Sequence, residues 1–241
     1  MGDRKDATLS YAGIDGCRGG WIMVAAHGAA ASFELELSIR ARFADLDLAG
    51  ITLTAVDMPI GLAGASARTC DTLARVHLPA LAKSSVFPAP PRAALRFTDW
   101  ASANAWAKRE CGKGISLQSW YIAGKIRELA EYMTPRRQRR IREAHPEIAF
   151  HRLNGGTALP SKKLKAGQRA RLDLLRAVGF GAIEGLLSSL PRQEAQRDDA
   201  LDAAILAYLA REIARGQARR APPCDSEVVR DDRGLRMEIW F

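Results

Sequence analysis

The chain has 241 residues, enough for one sizeable core, and its hydrophobic fraction of 47% and charged fraction of 26% are those of an ordinary globular protein. No apolar run approaches the ~18 residues of a membrane span, which excludes a helical integral membrane protein. Lys and Arg number 36 against 27 acids, so the net charge is +9 and a polyanionic partner is favoured.

Met1 to Ser10 is polar and mixed in charge, unlike a signal or transit peptide, and a cytoplasmic location is expected. Residues 11–39 read as an antiparallel β-meander: Tyr11 to Asp15, Trp21 to Ala26 and Ser32 to Ile39 are apolar or alternating runs separated by glycine-containing turns. In the third run Phe33, Leu35, Leu37 and Ile39 alternate with Glu34, Glu36 and Ser38, the mark of a half-exposed strand. The first run passes through Gly13-Ile14-Asp15-Gly16-Cys17-Arg18-Gly19-Gly20-Trp21, which presents one carboxylate at a strand end before a tight return. Ala41 to Leu48 has room for a short helix. Residues 51–57 form a β-branched run that again ends in an acid, Asp57, before Met58-Pro59-Ile60-Gly61-Leu62 breaks the strand. Two strands ending alike at one edge of a sheet would bring Asp15 and Asp57 together.

Helical spacing then takes over at Ala65–Ala82, Asp99–Glu110 and Gln118–Tyr132, with Pro88-Ala89-Pro90-Pro91 as a rigid interruption. This predicts a mainly helical insertion, about residues 63–142, within a single domain spanning 1–241. Its segments 84–88 and 114–118 are either loops over a site or ordinary turns. Pro135 to Arg142 is a basic run: either a solvated face or, with Lys162-Lys163-Leu164-Lys165 and Arg169-Ala170-Arg171, a phosphate-contact surface. Residues 142–150 suggest another strand, on which Glu143, His145 and Glu147 share one face; that face is an exposed edge or a site, with Glu147 the stronger candidate.

One or two helices follow over 168–190, broken at Gly179 and Gly181, and the last long helix runs from about Gln196 to Arg215. Asp199, Asp202, Leu206, Leu209 and Ile213 share one face of it. Capping and the helix dipole account for Asp198 or Asp199. They account poorly for Asp202, because a capping acid has no need to continue an apolar stripe. Alanines at 200, 203, 204 and 207 let this helix approach a sheet closely. Leu235 to Phe241 alternates like a terminal strand or edge. The four cysteines are scattered without a CxxC pair and the four histidines lack metal-ligand spacing, which argues against zinc and against a disulfide framework.

Asp15, Asp57, Glu147 and the pair Asp199/Asp202 thus form a set of carboxylates at strand ends and on one helix. Packed together they repel, so some must protonate or bind cations. An all-oxygen donor set suits Mg²⁺ or Mn²⁺. Two such ions roughly 3.5–4 Å apart serve phosphodiester hydrolysis, with the acids as ligands and water as nucleophile.

A meander beginning with an aspartate, a fourth strand ending in an acid and a late helix with acids three apart resemble the RNase H-like layout. Asp199-Ala200-Leu201-Asp202-Ala203 resembles the last helix of RuvC-type resolvases. More closely, the chain resembles a bacterial and archaeal family of unknown function described as predicted RNase H-like nucleases. The motifs that carry this are Gly13 to Trp21; Asp57 to Leu62; Arg68 with Cys70-Asp71 and Ala74-Arg75; Ser85 to Pro90; Gln118 with Trp120 and Lys125-Ile126; Glu143 with His145-Pro146-Glu147; and Asp198 to Ala203. They span about residues 11–210.

The resemblance implies an α/β fold with an RNase H-like mixed sheet, an antiparallel meander plus parallel strands, flanked by helices. It further implies a divalent-metal-dependent nuclease acting on DNA or RNA, with Asp15, Asp57, Asp199 and Asp202 as core ligands and Glu147 as an additional one. Asp57 departs from the RuvC-type pattern, which has glutamate there. Two alternatives stand beside it. An actin-like nucleotide-binding phosphotransferase shares the sheet and would use the glycine hairpin to cradle phosphates, although 241 residues leave little room for a second domain. The other is a nucleic-acid-binding module without activity. A homodimer is compatible with each.

Overall fold

A computed structural model describes residues 9–28, 32–224 and 226–241. Within it, β1 (Ser10–Cys17) pairs antiparallel with β2 (Gly20–His27), and β2 with β3 (Glu34–Arg40). The return from β1 to β2 takes only Arg18 and Gly19. Gly20 enters β2 at a φ of +119° against the backbone of Arg40 and Ala41, where no side chain fits. β4 (Leu53–Val56) lies parallel to β1 on its other side, and β5 (Ile141–Glu143) parallel to β4. The order β3-β2-β1-β4-β5 is the mixed sheet expected of an RNase H-like fold.

Among the described residues eight α-helices surround this sheet: α1 (Thr69–Arg75), α2 (Trp100–Cys111), α3 (Leu117–Tyr121), α4 (Ala123–Tyr132), α5 (Pro146–Leu153), α6 (Lys165–Ala177), α7 (Ile183–Ser188) and α8 (Arg197–Ala214). Alternation along β1 sends Tyr11, Gly13, Asp15 and Cys17 to one face and Ala12, Ile14 and Gly16 to the other. The first face is covered by α8, behind which α5, α6 and α7 contribute Phe150, Leu175, Ile183 and Leu187 to the same core. As a middle layer, α8 is buried on nearly all sides rather than along one stripe. The opposite face meets Ala123, Ile126 and Leu129 of α4, which pack with Ile14, Trp21 and Val56. There Trp21 Nε1 donates to Glu128 Oε2 at 2.9 Å, tying α4 to the sheet.

The segment 142–150 is not a strand. β5 stops at Glu143, and α5 starts at Pro146, where the missing N–H loses no helical bond; Ile148, Ala149 and Phe150 then bury into the core. Glu147 therefore sits in the first turn of a helix and shares no face with Glu143. The helix expected over 65–82 shortens to α1, with a 3₁₀ turn over Ala80–Ser85 after Pro79, and the one expected over 118–132 divides at Ile122. Only Ile239–Trp240 (β7) of the C-terminal alternation is strand; it pairs with Arg220–Ala221 (β6), and Trp240 bridges to Ala144 beyond β5. All four cysteines are free, and among the described residues no helix is long and apolar enough to cross a membrane. Of the N-terminal segment Met1 to Ser10, residues 1–8 lie outside the described residues, and Ser10 opens β1.

The sheet and α8 touch at Gly13. A Cβ there would stand 2.0 Å from Ala203 O and 2.3 Å from Ala207 N, both rigid helix backbone. Gly13→Ala is therefore expected to cost about 3 kcal/mol in denaturant unfolding, or to prevent folding. Gly124→Ala, in α4 with open space around it, should instead gain about 0.5–1 kcal/mol.

Candidate functional site

Register brings the first two acids together. Ile14 pairs with Val56, and the Asp57 N–H donates to Ile14 O at 3.0 Å, so Asp15 and Asp57 stand side by side on adjacent strands. Asp15 lies within β1, two residues before its end, and its Oδ1 accepts the Gly16 N–H at 2.7 Å. Because α8 rests on Gly13, its first turns carry Asp199 and Asp202 over the same corner. The four aspartates form one electrostatic cluster. Burial first, then Asp57 and Asp202, push the Asp15 carboxyl well above the ordinary range, with a smaller push from Asp199. Glu147, at the start of α5, is close enough to push Asp57 and Asp202 upward as well.

Compensating cations come from the loop before α6. Lys162 Nζ lies 2.5 Å from Asp202 Oδ2; burial opposes its charge, but Asp202, Asp15 and Asp57 outweigh that and raise its pKa. Asp202 is only 1% exposed, and burial lifts its pKa to about 7 against the pull of Lys162. Its second oxygen, Oδ1, is buried without a hydrogen-bond partner. Burial also raises Asp57, with His145 and Lys162 pulling the other way. Glu147 is held by Arg171 through two bonds of 2.9 Å, and Lys163 meets Asp198 at 2.8 Å. Asp199 has a structural task too: its Oδ2 accepts the Gln196 N–H at 2.8 Å, completing a capping box at the start of α8.

Open space surrounds this corner. Asp15 and Asp57 face a cavity of about 180 Å³ with Ser85, Phe87, Lys125 and His145 on its walls. From Asp57 a second hollow, about 1000 Å³, extends past Ser84, Gln118, Glu147, Lys162 and Arg171. Residues 84–87 and Gln118 thus do border the site. The His145 ring donates from Nε2 to Ser85 O at 3.2 Å and leaves Nδ1 buried without a partner. The basic run before β5 lies elsewhere: Arg136, Arg137, Arg139 and Arg140 are exposed at the opposite end of that strand from Glu143.

Glu143 is tied into a second cluster that borders the same 180 Å³ cavity as Asp15 and Asp57: the buried Arg68 guanidinium donates to both its oxygens at 2.6 and 2.8 Å and to Asp71 at 2.5 Å. The same arginine donates to Gly61 O at 3.0 Å, and Glu143 accepts the Ile60 N–H at 2.6 Å. These bonds fix the turn that follows Asp57. Arg68 and Asp71 are three residues apart, but the bonds from Arg68 to Glu143 and from Lys162 to Asp202 have no local signature, since they join residues 75 and 40 positions apart.

The donor set at the corner is all carboxylate, buried, short of cations and left with one orphaned oxygen, which fits a hard divalent ion. Among the described residues no group of three or more His, Cys, Asp or Glu side chains is placed to hold a metal ion by itself. Waters or substrate oxygens would have to complete any coordination shell, as is usual for Mg²⁺.

A family model for a protein of unknown function, DUF429, matches residues 13–227. The chain belongs to this family. Among curated proteins and among solved structures no match was found.

Lys162→Met should leave the Asp202 carboxylate buried and unpaired, at a cost of about 3 kcal/mol at pH 8. Adding Asp202→Asn should recover more than half of that loss in a double-mutant cycle by chemical denaturation; additive losses would show that the pair is not coupled.

Proposed function

We propose that this chain is a divalent-metal-dependent nuclease that hydrolyses phosphodiester bonds of DNA or RNA. The observation that carries the reading is the surplus of buried negative charge. Asp15, Asp57, Asp199, Asp202 and Glu147 converge on one corner, where Lys162 and Arg171 supply the facing cations. Protonation is how the protein alone relieves that surplus, and Mg²⁺ or Mn²⁺ would relieve it without protons. When bound at such a centre, these ions neutralise phosphate charge and lower the pKa of water, the chemistry a phosphodiester needs.

The chain's own groups divide the remaining work. One or two of Asp15, Asp57 and Asp202 would hold the cation, with Asp202 Oδ1 free to do so. Lys162 and Lys163 border the larger hollow and would orient the phosphate backbone without reading sequence, while the buried Arg171 holds Glu147. The glycine hairpin offers little to a phosphotransferase, because Gly16 N–H is engaged by Asp15 and Gly19 N–H by Glu194 O at 2.7 Å.

Purified protein should cleave at least one of single-stranded, duplex or branched DNA or RNA when Mn²⁺ or Mg²⁺ is present. Asp57→Asn should lower the rate on the order of 100-fold or more. A complete panel without cleavage would sink the proposal. Cation binding must displace protons from the raised carboxylates, Asp202 near 7 among them. Without a cation, the stability these groups contribute is full below the ordinary carboxylate range and is lost as pH rises through their folded values. Mn²⁺ should therefore raise the melting temperature more at pH 8 than at pH 6; an equal or reversed effect would place the ion elsewhere.

A further inference from the structure

The helical segment before β5 carries a second concave surface. Between the 3₁₀ turn at Arg92–Arg96 and α4 runs a groove of about 750 Å³, whose walls include Arg96, Phe97, Trp120, Arg127 and Arg233. Its positive charge is oriented but not neutralised. Arg127 Nε and Nη2 donate to Leu95 O at 2.9 and 2.5 Å, and Arg233 donates to Ala130 O and Met133 O at 2.5 and 3.4 Å. A carbonyl aims a guanidinium and leaves its net charge intact. Arg96 lies over the rings of Phe97 and Trp106, at 5.2 and 5.6 Å from their centroids, and has no carboxylate partner among the described residues. Of the other charged groups on the walls, Arg92 is matched by Asp231 and Asp232, and Glu131 is a lone acid.

Aromatic surface accompanies this charge. Phe97, Trp106 and Trp120 pack against the small core of Ala94, Ala103, Ala107 and Ile115 and remain partly exposed. The groove also adjoins the acid corner through the first turn of α4. Ala123 and Gly124 line the groove, while Ile122 and Lys125 line the cavity that holds Asp15 and Asp57.

We infer that this groove binds single-stranded nucleic acid, with Arg96, Arg127 and Arg233 on the phosphates and Phe97 and Trp120 stacked on bases. A strand bound there reaches the acids by crossing the first turn of α4. Duplex is disfavoured because its bases are already stacked on one another and offer no free face to the rings. The inference names a substrate class for the proposed nuclease and rests on that reading for delivery, while the binding itself is separable from cleavage.

Anisotropy of a labelled single strand of about 15 nucleotides, titrated with the full chain in EDTA, reads binding without cleavage. Arg96→Glu with Arg127→Glu should weaken affinity about 10–100-fold and lower the slope of log affinity against log salt by about 1.4, between about 50 and 200 mM salt. Trp120→Ala should weaken it about tenfold with the slope unchanged. Arg139→Glu, at the far end of β5, should do neither. The two arginines are exposed, so their variants report on binding even if Trp120→Ala fails to fold. The inference is overturned if the arginine variant binds like the wild type, if duplex of equal length binds as tightly, or if Arg139→Glu weakens binding as much. Groove-dependent binding by a protein that never cleaves would sink the nuclease proposal and leave this one standing. Cleavage with groove-independent binding would do the opposite.

Discussion

The fold turns on one contact without a side chain, Gly13 of β1 against the backbone of α8 at Ala203 and Ala207. Any Cβ would lift the helix off the sheet, and the first turns of that helix are where Asp199 and Asp202 reside. Close approach at Gly13 therefore does two jobs. It lets a helix buried on nearly all sides serve as the middle layer of the core. It also holds two acids of α8 over the corner where β1 and β4 present Asp15 and Asp57.

Two buried charge clusters flank the start of the turn after β4, and they are balanced differently. On one side Arg68 is enclosed by Glu143, Asp71 and backbone carbonyls, so its donors are met and the arrangement is a fastening. On the other side the carboxylates exceed their partners, and one oxygen of Asp202 has none. Burying like charges without full compensation works against stability. That imbalance is the observation on which the proposed metal centre rests.

Much of this was legible in the chain. Alternating and β-branched runs located the meander and β4, and acids at the ends of two parallel neighbours implied that Asp15 and Asp57 would meet. The Asp199–Asp202 spacing, with alanines between, located the helix that faces them. Local pattern failed where long-range partners decide the outcome. Glu143 and Glu147 share a period of two, yet Pro146 is better suited to the first position of a helix than to a ladder. Lys162 reads as one member of a basic tract and becomes the counter-charge of an acid 40 positions later. Arginine-bearing turns and tryptophans without regular spacing form a groove only once α3, α4 and the 3₁₀ turn at Arg92 have docked.

The contact at Gly13 also joins residues that are made at different times. Asp15 and Asp202 are separated by nearly 190 positions, and at roughly 5–20 residues per second a ribosome needs on the order of 10–40 s to travel between them. During that interval the face of β1 and β2 carrying Tyr11, Ile22 and Val24 has no helix to cover it. The meander is a local structure that forms early, while its cover depends on sequence distant from it. The nascent chain thus passes through a stage in which an apolar sheet face is open, and in which the corner holding Asp15 and Asp57 is only half built.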